Sequence, residues 1–316
     1  HIAVAHNGNL TNAEELASSL EATGAIFQST SDSELLIHLI AQNRSSEFRD
    51  AFVQSLQRLH GAFSLVMLHN DEIHAVKDSH GFRPLCLGKI DDGWIVASES
   101  CALDIIGATF LREFQPGEAI HFRNGLPERF QAIKTANPPS ACIFETIYYS
   151  RPDSIVSNKS IYHFRKRLGE ELAAEYPVEA DVVVPVPDSS NPAAIGYSRA
   201  SNIPMENGLL RSHYIGRTFI TPGQQSRVES VRLKFNPIRE ILEGKRVVMV
   251  DDSVVRGTTA KKIMRMVRQA GAKEIHFRIT APPWKNPCYY GIDTPDKELL
   301  IANQMNEDQM AKHFGV

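Results

Sequence analysis

No stretch of this chain holds the ~18 uninterrupted apolar residues that a bilayer-spanning helix needs, so a helical membrane anchor is not expected. Only four Cys occur in 316 residues, which excludes a disulfide-stapled scaffold. The twelve His show neither HExxH nor a comparable zinc spacing. There is no basic excess: the net charge is -3, so nucleic acid is not an implied partner. Internal repeats, low-complexity tracts and a signal-peptide pattern are also missing, and the cytoplasm is the expected compartment. What remains is ordinary globular composition, 42% hydrophobic and 22% charged, in a length that predicts about two domains. The chain opens on His1, and Ile2 to Ala5 already reads as a strand in mid-sheet, so a preceding segment is expected. A following one is expected too, since Glu307 to Phe314 reads as a helix stopped by Gly315.

The two halves differ in pattern. The first alternates strands, at 62–68, 73–77, 84–88, 94–98 and 118–122, with Asn, Asp and Gly turns between them. Thr11 to Glu14 and Ser31 to Glu34 read as capping boxes ahead of apolar runs, and Phe48, Phe52, Leu56 and Leu59 mark a third helical stripe. This order predicts an α+β layered domain. Thr135 to Ser140, polar and proline-bearing, is the candidate linker. Beyond it, helices at 162–176 and 192–201 alternate with strands at 181–186, 247–250 and 274–280, the pattern of an α/β domain with a parallel sheet. The expected organisation is a partial first domain at 1–137, a linker at 138–160 and a second domain at 161–316.

The most informative stretch is Arg246 to Thr259, RVVMVDDSVVRGTT. Val247 to Val250 is a continuous apolar run, as in a strand covered on both faces. It ends in Asp251-Asp252, at the strand end where open α/β sheets bind ligands. The loop that follows, with Ser253, Arg256, Gly257, Thr258 and Thr259, opens a helix whose free N–H groups favour an anion. An ordinary strand with a polar turn needs none of these residues in this order. A second strand, Asp181 to Val186, ends in Pro187-Asp188-Ser189-Ser190 ahead of another helix, a turn that can grip a phosphate or be no more than a turn. Between Leu210 and Pro237 the chain is long, irregular and basic, with Arg211, Arg217, Arg227, Arg232, Lys234 and Tyr214. A loop of that length is usually functional.

Arg246 to Thr259 resembles the phosphoribosyl pyrophosphate (PRPP) motif of the type I phosphoribosyltransferases. The resemblance implies that Asp251 and Asp252 bind the ribose hydroxyls and Mg²⁺, and that Ser253, Arg256, Gly257, Thr258 and Thr259 hold the 5-phosphate. It implies that Ser189 and Ser190 form the pyrophosphate loop, with Ser189 contributing to the metal site. Arg211-Ser-His-Tyr-Ile-Gly-Arg-Thr-Phe219 resembles the KNRYVGRTF loop that closes over PRPP in the glutamine PRPP amidotransferases. Arg211 and Arg217 then meet substrate phosphates, and Tyr214 belongs to the catalytic set. The Lys-to-Arg and Arg-to-His departures leave the role of His213 open.

The first half fits the same family. His6-Asn7-Gly8-Asn9-Leu10 reads as a tight turn after a strand, able to aim the Asn7 amide and the Gly8 N–H at one oxygen. Asn-Gly is most often just a turn. With Ser29 to Glu34 downstream, it resembles the glutaminase half of the N-terminal-nucleophile amidotransferases. By that resemblance Asn7 and Gly8 stabilise a tetrahedral intermediate and Asp32 binds the glutamine α-amino group. The family's nucleophile is an N-terminal Cys, and no Cys precedes Cys86 here, so glutaminase chemistry is not expected of these residues alone.

Cys86 and Cys101 read as buried structural thiols. Cys142 and Cys288 resemble two of the four cysteines that hold a [4Fe–4S] cluster in one subclass of the family, the others being expected beyond Val316. Taken whole, the resemblance implies conversion of PRPP, glutamine and water to 5-phosphoribosylamine, glutamate and pyrophosphate. It also implies Mg²⁺ as cofactor, purine nucleotides as feedback effectors and a homo-oligomer. The competing reading is a PRPP-binding, purine-responsive regulator of the same fold, and HNGNL and STSDSE count against it.

Overall fold

The computed structural model describes residues 1–43, 45, 47–212, 234–294 and 296–316, which form two compact units. The first comprises 1–145, 154–158 and 288–295, the second the remainder.

In the first unit, β1 (Ile2–Leu10), α1 (Ala13–Glu21), α2 (Ser33–Gln42) and α3 (Phe48–Leu56) precede β2 (Gly61–His69) and β3 (Glu72–Lys77). Then come β4 (Cys86–Ile90), β5 (Gly93–Ala97), α4 (Ser100–Ile105), β6 (Thr109–Glu113), β7 (Glu118–Arg123) and β8 (Leu126–Gln131). They build a five-stranded antiparallel sheet in the order β1-β2-β3-β7-β8 and a three-stranded one in the order β5-β4-β6. Alternation decides the layers. Phe63, Leu65 and Met67 of β2 join Leu16, Leu36 and Phe52 of the helices in one core. Val66, Ala75, Ile120 and Phe122 face the other way, onto Leu87, Trp94 and Val96 of the second sheet. The α+β layering is as expected.

Several local expectations fail. His6 to Leu10 is no turn: β1 runs on through Leu10, with Asn7 opposite Ser64 and Gly8 opposite Phe63. Long-range pairing with β2 overrides the local Asn-Gly preference. Neither capping box forms. The Asn12 side chain bonds Arg58 O and the His60 N–H, and Glu34 turns back to the Gln28 and Ser29 N–H groups. The strand expected at 84–88 starts at Cys86, while β6, β8 and α4 are additions.

In the second unit α5 (Ile161–Glu175), β9 (Val182–Pro185), α6 (Asn191–Ser201), β10 (Leu209–Arg211), β11 (Phe235–Pro237), β12 (Arg246–Asp251), α7 (Thr258–Gln269), β13 (Glu274–Ile279) and α8 (Glu307–Phe314) follow in order. The parallel sheet has β12 at its centre, between β9 and β13. Val247 and Met249 pack with Ile263, Met264 and Val267 of α7, and Val248 and Val250 pack with Ala194 and Tyr197 of α6. Burial on both faces is what the unbroken apolar run required. Helices α5 and α6 cross at their backbones, since a Cβ on Gly169 would lie 1.8 Å from Ala193 O and one on Gly196 1.9 Å from Lys166 O. The ends of the long basic segment are paired, β10 antiparallel to β11. His213, Tyr214, Arg217, Arg227 and Arg232 lie outside the described residues.

Candidate functional site

Central strand β12 delivers Asp251 and Asp252 to the carboxyl edge of the sheet, and the turn after β9 delivers Ser189 and Ser190 to the same edge. Ser190 Oγ donates to Asp251 Oδ1 at 3.1 Å, and Ser189 Oγ donates to Asp252 Oδ2. Ser253 Oγ donates to Asp252 Oδ1 at 2.7 Å, and the Asp252 N–H to Asp251 Oδ1 at 2.9 Å. Asp252 is buried and Asp251 partly so. Burial, followed by the neighbouring carboxylate, pushes the Asp251 carboxyl well above its ordinary range; burial raises Asp252 as well. Two adjacent carboxylates kept from solvent are electrostatically poised for a cation.

Buried Arg165 was missed from the sequence, where it is one charge among many on an amphipathic helix. It donates to the Thr146 and Ser150 carbonyls and holds positive charge near Asp252.

Helix α7 begins at Thr258, capped by Gly257 with φ +73°. A Cβ there would sit 2.5 Å from Ile301 Cδ1, so the position admits only glycine without displacement. Thr258 and Thr259 are exposed at the helix start, where first-turn N–H groups lack helical acceptors. Arg256 is exposed, and Ser253 is partly buried. Arg211 Nη1 meets Asp188 Oδ2 at 2.8 Å, so its charge is already engaged within the same turn region. The structure thus brings Ser189, Ser190, Asp251, Asp252 and Ser253 into one hydrogen-bonded group.

The first unit holds a second constellation. Phe63 turns its N–H and C=O toward Asp78, its N–H to Asp78 Oδ2 at 3.2 Å and its O accepting from the Asp78 N–H at 2.8 Å. Gly8 and Phe63 are therefore a non-hydrogen-bonded pair, and the Gly8 N–H points to the free edge of β1. Asp32 lies on that edge, accepting from the Leu10 N–H at 2.9 Å and facing His6 Nδ1 at 3.3 Å. Burial raises the Asp32 carboxyl, but the His6 and Leu10 hydrogen bonds carry it below its ordinary value. The Asn7 side chain is partly buried and Asn9 Nδ2 donates to Tyr289 O at 2.9 Å.

Residues 288–294 complete this region, a neighbour no local pattern announces. Arg83 Nη2 donates to Tyr290 O at 3.0 Å, its Nη1 pairs with buried Glu145 at 2.6 Å, and Tyr290 stacks on Phe82 at 4.4 Å. Cys142 and Cys288 flank the same segment: the Cys142 N–H donates to Phe82 O at 3.4 Å, and Cys288 Sγ accepts from the Tyr290 N–H at 3.3 Å. Burial raises the Cys142 thiol. Cys86 and Cys101 are buried, as read from the sequence, and Cys86 packs beside Leu103. Among the described residues no helix is long and apolar enough to cross a membrane.

Residues 1–104 match a glutamine amidotransferase domain model and residues 153–310 a phosphoribosyl transferase domain model. The chain is 49% identical to amidophosphoribosyltransferase 1, chloroplastic, of Arabidopsis thaliana over 99% of its own length and 56% of that protein. It is 44% identical to the amidophosphoribosyltransferase of Methanocaldococcus jannaschii, covering 70% of it. The solved glutamine PRPP amidotransferase from B. subtilis, complexed with ADP and GMP, superposes with a TM-score of 0.93 at 46% identity, across 100% of this chain and 69% of that one. The chain spans between about half and two thirds of the length of most curated relatives it matches. Both domain models in order, with identity near one half along the whole chain, show that it belongs to the amidophosphoribosyltransferase family.

Proposed function

We propose that this chain forms the core of a glutamine-dependent amidophosphoribosyltransferase, the enzyme that commits PRPP to purine synthesis. PRPP, glutamine and water give 5-phosphoribosylamine, glutamate and pyrophosphate. The observation that carries the reading is the Asp251-Asp252 pair at the end of β12, held by Ser189, Ser190 and Ser253 beside the open start of α7.

In this reading the first-turn amides and hydroxyls of Thr258 and Thr259, with Ser253, Arg256 and Gly257, receive the 5-phosphate. Asp251 and Asp252 face the ribose and stabilise the positive charge that develops at the anomeric carbon as pyrophosphate departs. Ser190, Arg211 and Arg217 receive the pyrophosphate, and Tyr214 helps shield the cation from water. The donor set of Asp251, Asp252 and Ser189 is all oxygen, which fits Mg²⁺, and these residues would hold it. Mg²⁺ supplies charge neutralisation of the leaving group. In the first unit the Asn7 amide and the outward Gly8 N–H receive the oxyanion of glutamine hydrolysis, and Asp32 receives the α-amino group.

A [4Fe–4S] cluster fits less well. It needs four thiolates; Cys142 and Cys288 supply two, and Cys86 is packed elsewhere beside Leu103. These residues alone do not hold it, and no step passes through it. The relative solved with ADP and GMP supports purine nucleotides as effectors here. The reading further takes 1–137 as glutaminase-like, 138–160 as linker and 161–316 as transferase, in a cytoplasmic homo-oligomer.

The test is pyrophosphate release from PRPP and Mg²⁺ with ammonia as nucleophile, in the full-length protein. Release that depends on ammonia and falls in Asp252→Asn is expected. Tight PRPP binding with no turnover would favour the regulator instead.

A further inference from the structure

Three histidines and a glutamate converge on one face of the five-stranded sheet, although their sequence spacing matches no zinc motif. Sheet register explains it. His69 ends β2 directly opposite Glu72, the first residue of β3. His74 lies two residues along β3 and so shares the face of Glu72, and His121 of β7 lies directly opposite His74. One ring nitrogen each of His69 and His74 and a carboxylate oxygen of Glu72 lie within 4.8 Å of one another.

An aromatic core role explains only part of this. His74 does pack on Phe48 and Phe52 and stacks on His121 at 4.2 Å. Phenylalanine would serve that packing better, because both nitrogens of His74, which is 1% exposed, are buried without a hydrogen-bond partner. A buried polar atom left unpaired is costly, and an ion that takes the lone pair of one ring nitrogen removes that nitrogen's share of the cost. The surroundings are built for it. The His69 ring is fixed face to face on Phe48 at 3.6 Å, and Glu72 is oriented by His121 Nε2 at 2.9 Å and Arg123 Nε at 3.0 Å. Carboxylates that ligate a metal are themselves held by outer hydrogen bonds, as Glu72 is here.

We propose that His69, Glu72 and His74 bind a divalent transition-metal ion of the zinc class, with His121 as the positioning residue for Glu72. Two imidazoles and one carboxylate are donors that zinc-class ions accept, and solvent completes a tetrahedral set. Arg123 takes Oε1 of Glu72 while His121 takes Oε2, and a carboxylate has lone pairs enough to keep such contacts and bind an ion. The ion would clip the β2–β3 hairpin closed beneath α3, at the far side of the sheet from the β4–β6 layer. It stabilises the unit and takes no part in phosphoribosyl transfer.

The test uses Zn²⁺ as the probe on the whole chain, by calorimetric titration and thermal melting. His69→Ala and Glu72→Gln are the variants, since neither residue is fully buried. Wild type is expected to bind one more ion per chain than either variant and to show a Zn²⁺-dependent rise in Tm that both lose. X-ray absorption of the unmutated, zinc-loaded chain is expected to show nitrogen and oxygen ligands at about 2.0–2.1 Å. Equal stoichiometry in wild type and variants, no saturable binding by wild type, or a shell of sulfur alone overturns the assignment.

Discussion

Ser190 and Asp251 stand 61 residues apart in the chain, yet Ser190 Oγ donates to Asp251 Oδ1 at 3.1 Å. The bond ties the turn after one parallel strand to the tip of its neighbour, and Ser189 does the same for Asp252. Four polar side chains are thereby fixed at the strand ends before any substrate arrives.

That fixation predicts opposite effects on activity and stability. Asp251→Asn is expected to lower ammonia-dependent turnover of the full-length enzyme by ~10²-fold or more, as loss of a charge facing a developing cation does. The same change is expected to raise the Tm. A carboxyl whose folded pKa lies above its unfolded one binds protons more tightly when folded, so its ionisation costs stability as pH rises through that interval. A thermal melt at neutral pH beside the turnover assay checks both; a lower Tm would contradict the electrostatic argument.

Gly257→Ala tests the cap of α7. At φ +73°, with Ile301 Cδ1 2.5 Å from the new carbon, the substitution is expected to cost about 1–3 kcal/mol. Denaturant unfolding measures the loss, and KM for PRPP is expected to rise with it.

Gly8→Ala is expected to be worse, because the obstacle is backbone. The added carbon would lie 1.9 Å from Ala62 O, and β1 cannot keep its register against β2. Hydrogen exchange should show lost protection at the β2 amides that face β1, with β3 and β7 retained. Unchanged protection would mean that β1 accommodates a side chain.

Asp181 predicts an acid limit. The hydrogen bond from the Arg246 guanidinium, followed by that from its backbone N–H, brings this carboxyl from 3.8 down to about 2. A folded pKa below the unfolded one adds stability that is present above 3.8 and disappears as pH falls toward 2. Asp181→Asn is expected to flatten the stability profile of the second unit across that interval, as urea midpoints at several pH values will show.

Legibility followed the range of the interaction. Strand β12 could be read because burial on both faces leaves no polar alternation, and its Asp-Asp end and Gly-Thr-Thr loop are contiguous in the chain. Helix α8 could be read because Gly315 stops it locally, and the Asn306–Gln309 capping box that opens it went unread although it is just as local. Asn7-Gly8 was misread because a distant partner outbid a local preference, Ser64 and Phe63 pairing with it as strand, whereas the misread capping box lost to a local competitor, the Gln28 and Ser29 N–H groups that take the Glu34 carboxylate.

Composition and periodicity thus carried the two domain classes and the order of most elements, and the contiguous run from Asp251 to Thr259 carried the resemblance to a phosphate-binding loop, since each rests on neighbours within about one element. Which residues meet across elements was set by sheet register and packing: Ser190 on Asp251, residues 288–294 beside Gly8 and Asn9, and His69, Glu72 and His74 on one face. Those meetings depend on which strands pair, at which offset and on which side, and outside a tight hairpin such as β2–β3 no spacing along one dimension encodes an offset between two strands.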